Sequence, residues 1–120
     1  MAGYVDGFVV PMPKANVERY REIATTAGEL WKEHGALAYV ECVAEDVKSG
    51  ELTSFPQSVK LADDETVIFA WITYESREHR DEVNSKVMED DRMKAMMGSS
   101  EEVADMKRMI YGGFEVLVEL

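Results

Sequence analysis

Apolar positions change their period several times along the chain, and each change marks a structural element. Tyr4-Val5-Asp6-Gly7-Phe8-Val9-Val10 is rich in aromatic and β-branched residues and stops at Pro11 and Pro13, which predicts a strand over Gly3–Met12. Asn16 then stands where a helix N-cap would. Tyr20, Ile23, Ala24, Ala27, Leu30, Trp31 and His34 recur at spacings of three and four, one apolar stripe of a helix that Gly35 ends. Gly28 lies beside that stripe and predicts a close approach of the helix to the sheet. Ala36–Asp46 reads as a second strand, and Val47–Glu65 as a long connection containing Gly50, Pro56 and an Asp63-Asp64-Glu65 turn. Thr66–Tyr74 is the clearest strand. Ser76 caps a second helix with Val83, Val87 and Met88 on its apolar side, running toward Met93, Met96 and Met97. Gly98-Ser99-Ser100 interrupts it, a short helical turn near Glu101–Asp105 follows, and Met109–Leu120 is the last strand.

The order β-α-β-β-α-β predicts a ferredoxin-like α+β fold over residues 1–120 as one domain. Its four-stranded antiparallel sheet carries two helices on one face. Alternation splits each strand into two sets of side chains. Val5, Gly7 and Val9, with Ala38, Val40, Cys42 and Ala44, Ile68, Ala70 and Ile72, and Ile110 and Phe114, suit packing under helices. The other set holds Tyr4, Asp6, Phe8, Tyr39, Glu41, Phe69, Trp71, Tyr111 and Glu115. Phe8, Phe69 and Trp71 there would leave a large apolar patch, so a second copy of the chain is expected to cover it, sheet against sheet. Gly112-Gly113 is a place for a β-bulge that would shift the faces of the last strand.

Composition narrows the partners. The chain has 120 residues with 13 basic and 24 acidic side chains, a net charge of −11. That sign repels phosphate backbones and anionic bilayers, so neither nucleic acid nor a membrane is an expected partner. One cysteine forms no internal disulfide. With no signal-peptide pattern, a soluble cytoplasmic domain is expected.

Several blocks resemble the YbaA-like family, a domain-of-unknown-function family. They are Tyr4–Pro11, Trp31-Lys32-Glu33-His34-Gly35-Ala36-Leu37, Tyr39-Val40-Glu41-Cys42, Ser54-Phe55-Pro56, Lys86-Val87-Met88 and Lys107–Glu115. The resemblance implies a dimeric α+β barrel and implies no activity. Relatives at superfamily level include cofactor-free monooxygenases acting on polycyclic phenols, haem-degrading monooxygenases and non-catalytic binders. The family often has proline where Asp91 stands, and an aromatic and a glycine where Ala104 and Met106 stand.

Asp6 and Glu41 are the candidate catalytic groups, because carboxylates among aromatic rings lose water when the dimer closes and their pKa values rise toward neutrality. Tyr4, Phe8, Tyr39, Phe69, Trp71, Tyr111 and Glu115 are the candidate substrate walls. Pairing of Asp6 and Glu41 with Arg108, Lys60 or tyrosine hydroxyls is the structural alternative. Cys42 reads as core packing, His34 as a helix cap, and His79 with Glu75 and Glu82 as a solvated face; no metal site and no cofactor are expected. Trp71 and His79 lie on the elements that the haem-degrading relatives use, but where those relatives have an asparagine on the first strand this strand offers Asp6 and no asparagine, and an acidic pocket repels propionates. The Met88–Met109 segment reads as less ordered than the strands. Two function classes follow. One is a small-molecule pocket at the dimer interface with a monooxygenase-like or isomerase-like activity that needs no cofactor. The other is a non-catalytic homodimer that binds a metabolite or regulates.

Overall fold

The computed structural model describes residues 2–120. Strand β1 spans Tyr4–Pro13, helix α1 Val17–Glu33, β2 Ala38–Val43, α2 Phe55–Ser58, β3 Glu65–Tyr74, α3 Arg77–Glu89, α4 Asp91–Val103 and β4 Ile110–Glu115. The sheet is antiparallel in the order β2-β3-β1-β4, the ferredoxin-like arrangement expected. The core lies between the sheet and its helices. Leu30, Ile72, Tyr74, Val83, Val87 and Met93 form one cluster, and Val10, Met12, Ile68, Ala70 and Val103 another. No helix among the described residues is long and apolar enough to cross a membrane.

Local chemistry sets the helix ends. Ser76 Oγ accepts from the His79 N–H at 3.1 Å and starts α3. Asn16 occupies the N-cap of α1 without capping it; its Nδ2 donates to the Val103 carbonyl at 3.0 Å and ties α1 to the end of α4. Gly35, with φ +119°, ends α1 in a conformation that suits glycine. At Gly28 an added Cβ would lie 2.6 Å from Tyr39 Cδ1, so glycine is what lets the helix sit on β2.

The methionine-rich segment differs from the expectation. Asp90 is extended, and its carboxylate accepts from the Arg92 N–H at 2.9 Å, so α3 stops and a thirteen-residue α4 begins. Asp91 takes the first helical position, where proline is readily accepted, and the family's proline there is consistent with this break. Strands β2 and β4 are shorter than predicted, and the β1–β4 ladder runs through Gly112 and Gly113 with no bulge. Ser54 caps α2, which sets Phe55 edge-on to Phe69 of the same chain at 5.7 Å between centroids.

Register corrects the expected faces. Asp6 stands opposite Ile72 and Glu41 opposite Ala70. Cross-strand partners share a face, so the set with Asp6 and Glu41 lies with the core residues of β3, under the helices. Phe69 and Trp71 fall on the other, open face, opposite Val9 and Gly7. The expectation grouped strands by side-chain character, which put β3 one residue out of phase; one residue moves a whole strand set to the other face. Tyr4, Asp6, Phe8, Tyr39, Glu41 and Tyr111 therefore share no face with Phe69 and Trp71. Cys42 is likewise on the open face and exposed, where core packing under the helices was expected.

Candidate functional site

Between the sheet and the helices lies a cavity of about 360 Å³. Its walls are soft and aromatic: Met88, Met93 and Met96 from α3 and α4, Met106 and Met109 beyond them, and Phe8, Trp31 and Tyr39 opposite. Unbranched methionines adapt to the shape of what they enclose.

At one end stands Asp6. Its place on the central strand β1 puts it beneath α3, and it is buried. Arg80 Nη1 reaches Asp6 Oδ1 at 3.3 Å, and Arg80 Nη2 donates to the Tyr4 hydroxyl at 3.1 Å. The guanidinium sits over the Tyr4 ring, 5.0 Å from its centroid. One turn along α3, Asn84 Oδ1 accepts from Trp31 Nε1 at 3.1 Å and from the Tyr74 hydroxyl at 3.2 Å. Burial raises the Asp6 pKa more than Arg80, Asn84 and Tyr74 lower it. The upward direction is the one expected from the sequence, although a cation that the sequence reading did not place there opposes it.

At the other end Glu41 is held between two tyrosines. Tyr20 from α1 donates to Glu41 Oε1, and Tyr39 donates to Oε2 at 2.6 Å. Burial raises the Glu41 pKa, and the two hydroxyls partly offset it. The same burial, with the Glu41 charge, pushes both tyrosines well above their ordinary range. Tyr20, Ala24, Tyr39 and Glu41 also line a groove of about 760 Å³ that runs outside between α1 and β2. They are the wall between cavity and groove.

Of the other candidates, Trp71 and Tyr111 border the cavity as well, while Phe69 and Glu115 lie outside it. Phe69 and Trp71 line a shallow hollow on the open face with Val5, Val9 and Phe114. Tyr111 stacks on Phe8 at 6.4 Å and is otherwise exposed, and Glu115 is exposed at the end of β4. Arg108 pairs with Glu65 at 2.6 Å and Asp105 at 2.7 Å, and with neither candidate acid. His79 Nδ1 accepts from the Glu75 N–H at 3.0 Å. Glu33, His34 and Asp90 cluster closely enough to suggest a cation site, but Arg92 already engages both carboxylates, and Arg92 and His34 hold Asp90 far below the usual carboxylate range. Sequence reasoning missed Arg80, Asn84, Trp31 and Tyr20 as site residues. The available signal was the spacing of four between Arg80 and Asn84, two polar positions beside the Val83–Val87 stripe.

Residues 3–105 match the family described as protein of unknown function, DUF1428. The chain belongs to this family. It is 51% identical to the uncharacterized protein YbaA of Escherichia coli K12 over 116 residues, 97% of both chains. Among solved structures, a dimeric ferredoxin-like protein from an uncultured marine organism superposes with a TM-score of 0.65 at 8% identity, covering 98% of this chain and 99% of the other. A NIPSNAP family protein of unknown function from Agrobacterium tumefaciens gives 0.60 at 14%, covering 96% and 88%. An antibiotic-biosynthesis-monooxygenase-like protein from Bacillus cereus gives 0.57 at 10%, covering 100% and 98%. At such identities these likenesses establish the fold of this DUF1428 member alone.

Proposed function

We propose that this DUF1428 protein binds a small, largely apolar molecule in the cavity between sheet and helices, and that it works as a homodimer joined through the open sheet face. The observation that carries the binding reading is a buried carboxylate, Asp6, at the end of a methionine- and aromatic-lined cavity of about 360 Å³. That combination of apolar wall and few convergent polar groups suits a bound organic molecule. Asp6, with its raised pKa, is suited to accept a proton from the ligand while Arg80 and Asn84 hold a polar atom beside it. An isomerase-like or cofactor-free monooxygenase-like turnover would use that transfer. The Asp6–Arg80 pair is already complete, which favours a second reading in which the ligand is bound and not transformed.

Support for the dimer comes from the open face. Phe69 and Phe114 are 44% and 63% exposed there, and Leu117 and Val118 extend the apolar surface beyond β4. A similar fold is described as dimeric in the marine protein.

The chain has two tryptophans, so in a Trp71→Phe background fluorescence reports Trp31 at the cavity wall. Titration with 1-naphthylmethanol is expected to quench or shift that emission saturably. Absence of any change in emission or melting temperature would remove the binding reading. Light scattering at micromolar concentration tests the dimer, and a monomeric wild type would remove that part alone.

A further inference from the structure

We propose that the ligand is an organic cation, an aromatic ammonium, with its charge set against Glu41. This rests on the cavity being a binding site and adds the chemical class of its occupant.

The two carboxylates of the cavity are not equivalent. Asp6 has a cation: Arg80 reaches it at 3.3 Å and also lies 3.0 Å from Asp81 Oδ1. Glu41 has two tyrosine hydroxyls, and among the described residues no lysine, arginine or histidine comes within ion-pairing reach of it. The groups facing it are few. Tyr20 comes from α1 and Tyr39 from β2, while the Ile68 and Ala70 side chains of β3 do not titrate. Farther along the outer groove stand Arg21, Glu29, Lys32 and Glu33. Of these, Arg21 is turned to Glu18 at 3.2 Å, and Lys32 donates to the Leu37 carbonyl at 2.7 Å. On the cavity side are Asp6 and Arg80.

Glu41 is half-buried, and a partly desolvated carboxylate without a cation is disfavoured, a cost that a bound cation would offset. The surroundings suit one. Trp31 and Tyr39 stand 6.0 Å apart at an interplanar angle of 38° in the cavity wall, an angled pair of rings of which Tyr39 bonds the carboxylate. The net charge of −11 draws cations toward the protein. An anionic ligand would meet Glu41 with no counter-charge at that end.

The sign of the pH dependence follows. Burial raises the Glu41 pKa, so the empty protein holds this proton to a higher pH than a free carboxylate does. A cation binds the ionised form, so its affinity rises as pH climbs through the raised value and then levels off.

Three probes of one size separate the possibilities by calorimetry on the wild-type protein: 1-naphthylmethylamine, protonated at neutral pH, 1-naphthylmethanol and 1-naphthoate. The ammonium is expected to bind about tenfold or more tighter than the alcohol, and the carboxylate not measurably. Raising the pH from about 5 to 7.5, across the range above a free glutamate's pKa, should strengthen the ammonium and leave the alcohol unchanged. Glu41→Gln should bring ammonium and alcohol within about twofold of each other, with a cooperative melting transition showing that the variant is folded. If alcohol or carboxylate matches the ammonium on the wild type, the charge assignment falls and the pocket stands. If none of the three binds, pocket and assignment fall together.

Discussion

The two faces of one sheet in this protein carry different chemistry. The face under the helices carries Tyr4, Asp6, Tyr39 and Glu41, and each of these side chains has a polar partner that another element supplies or the strand itself offers. The open face carries Phe69, Trp71, Ile110 and Phe114, and the hollow there is lined mainly by apolar side chains with Glu119. The difference shows what each face is fitted for. Charged groups need positioned partners at short range, and helices packed at fixed angles provide them. Apolar rings need area, and a second flat surface provides that.

The sharpest way to break this contrast is to put a charge on the open face. Trp71→Glu should weaken self-association by about a hundredfold or more, read by light scattering across a dilution series, while 1-naphthylmethanol still binds. Loss of binding with association intact would mean that the roles of the faces are reversed.

A cut on the covered face should do the opposite. Asp6→Ala leaves Arg80 without its inner carboxylate and should cost about 3 kcal/mol in urea unfolding, with the oligomeric state unchanged at low denaturant. Asp6→Asn, which keeps a polar atom beside Arg80, should cost less. Equal costs would show that the whole loss comes from the charge of the ion pair, with nothing from shape or hydrogen bonding.

The close approach of α1 to β2 gives a smaller effect with a sign that can be turned. Gly28→Ala gains helix propensity but sets a methyl against the Tyr39 ring, for a net loss of about 1 kcal/mol. In a Tyr39→Ala background the same substitution should stabilise. A loss in both backgrounds would place the constraint in the backbone.

The smallest effect belongs to Glu41. Because burial raises its pKa in the folded chain, its contribution is most favourable below the unfolded value and is lost as pH rises through the folded one. Glu41→Gln should therefore melt higher than wild type at pH 8 by a few degrees, and the gap should close by pH 4. A gap that widens toward low pH would show that the ionised form is the favoured one.

Much of the fold was legible in the chain. Period changes located the four strands and α1, Ser76 capped the helix it was expected to cap, and Gly28 marked a close approach. Asp6 and Glu41 could be singled out as candidates, because a carboxylate inside a strand of aromatic and β-branched residues stands out. Their surroundings were not legible. Alternation divides each strand into two sets, but nothing local says which set of β3 aligns with which set of β1. That phase is set by hydrogen-bond register between residues far apart in sequence, Asp6 with Ile72 and Glu41 with Ala70. The same holds for Arg80 and Tyr20. Each reads locally as a position on an amphipathic helix, and each meets its acid only when the helix packs across the sheet. Local preference thus determined the elements and the acids, whereas long-range packing decided what faces them, because a side chain's partner depends on the placement of two elements and its period on one.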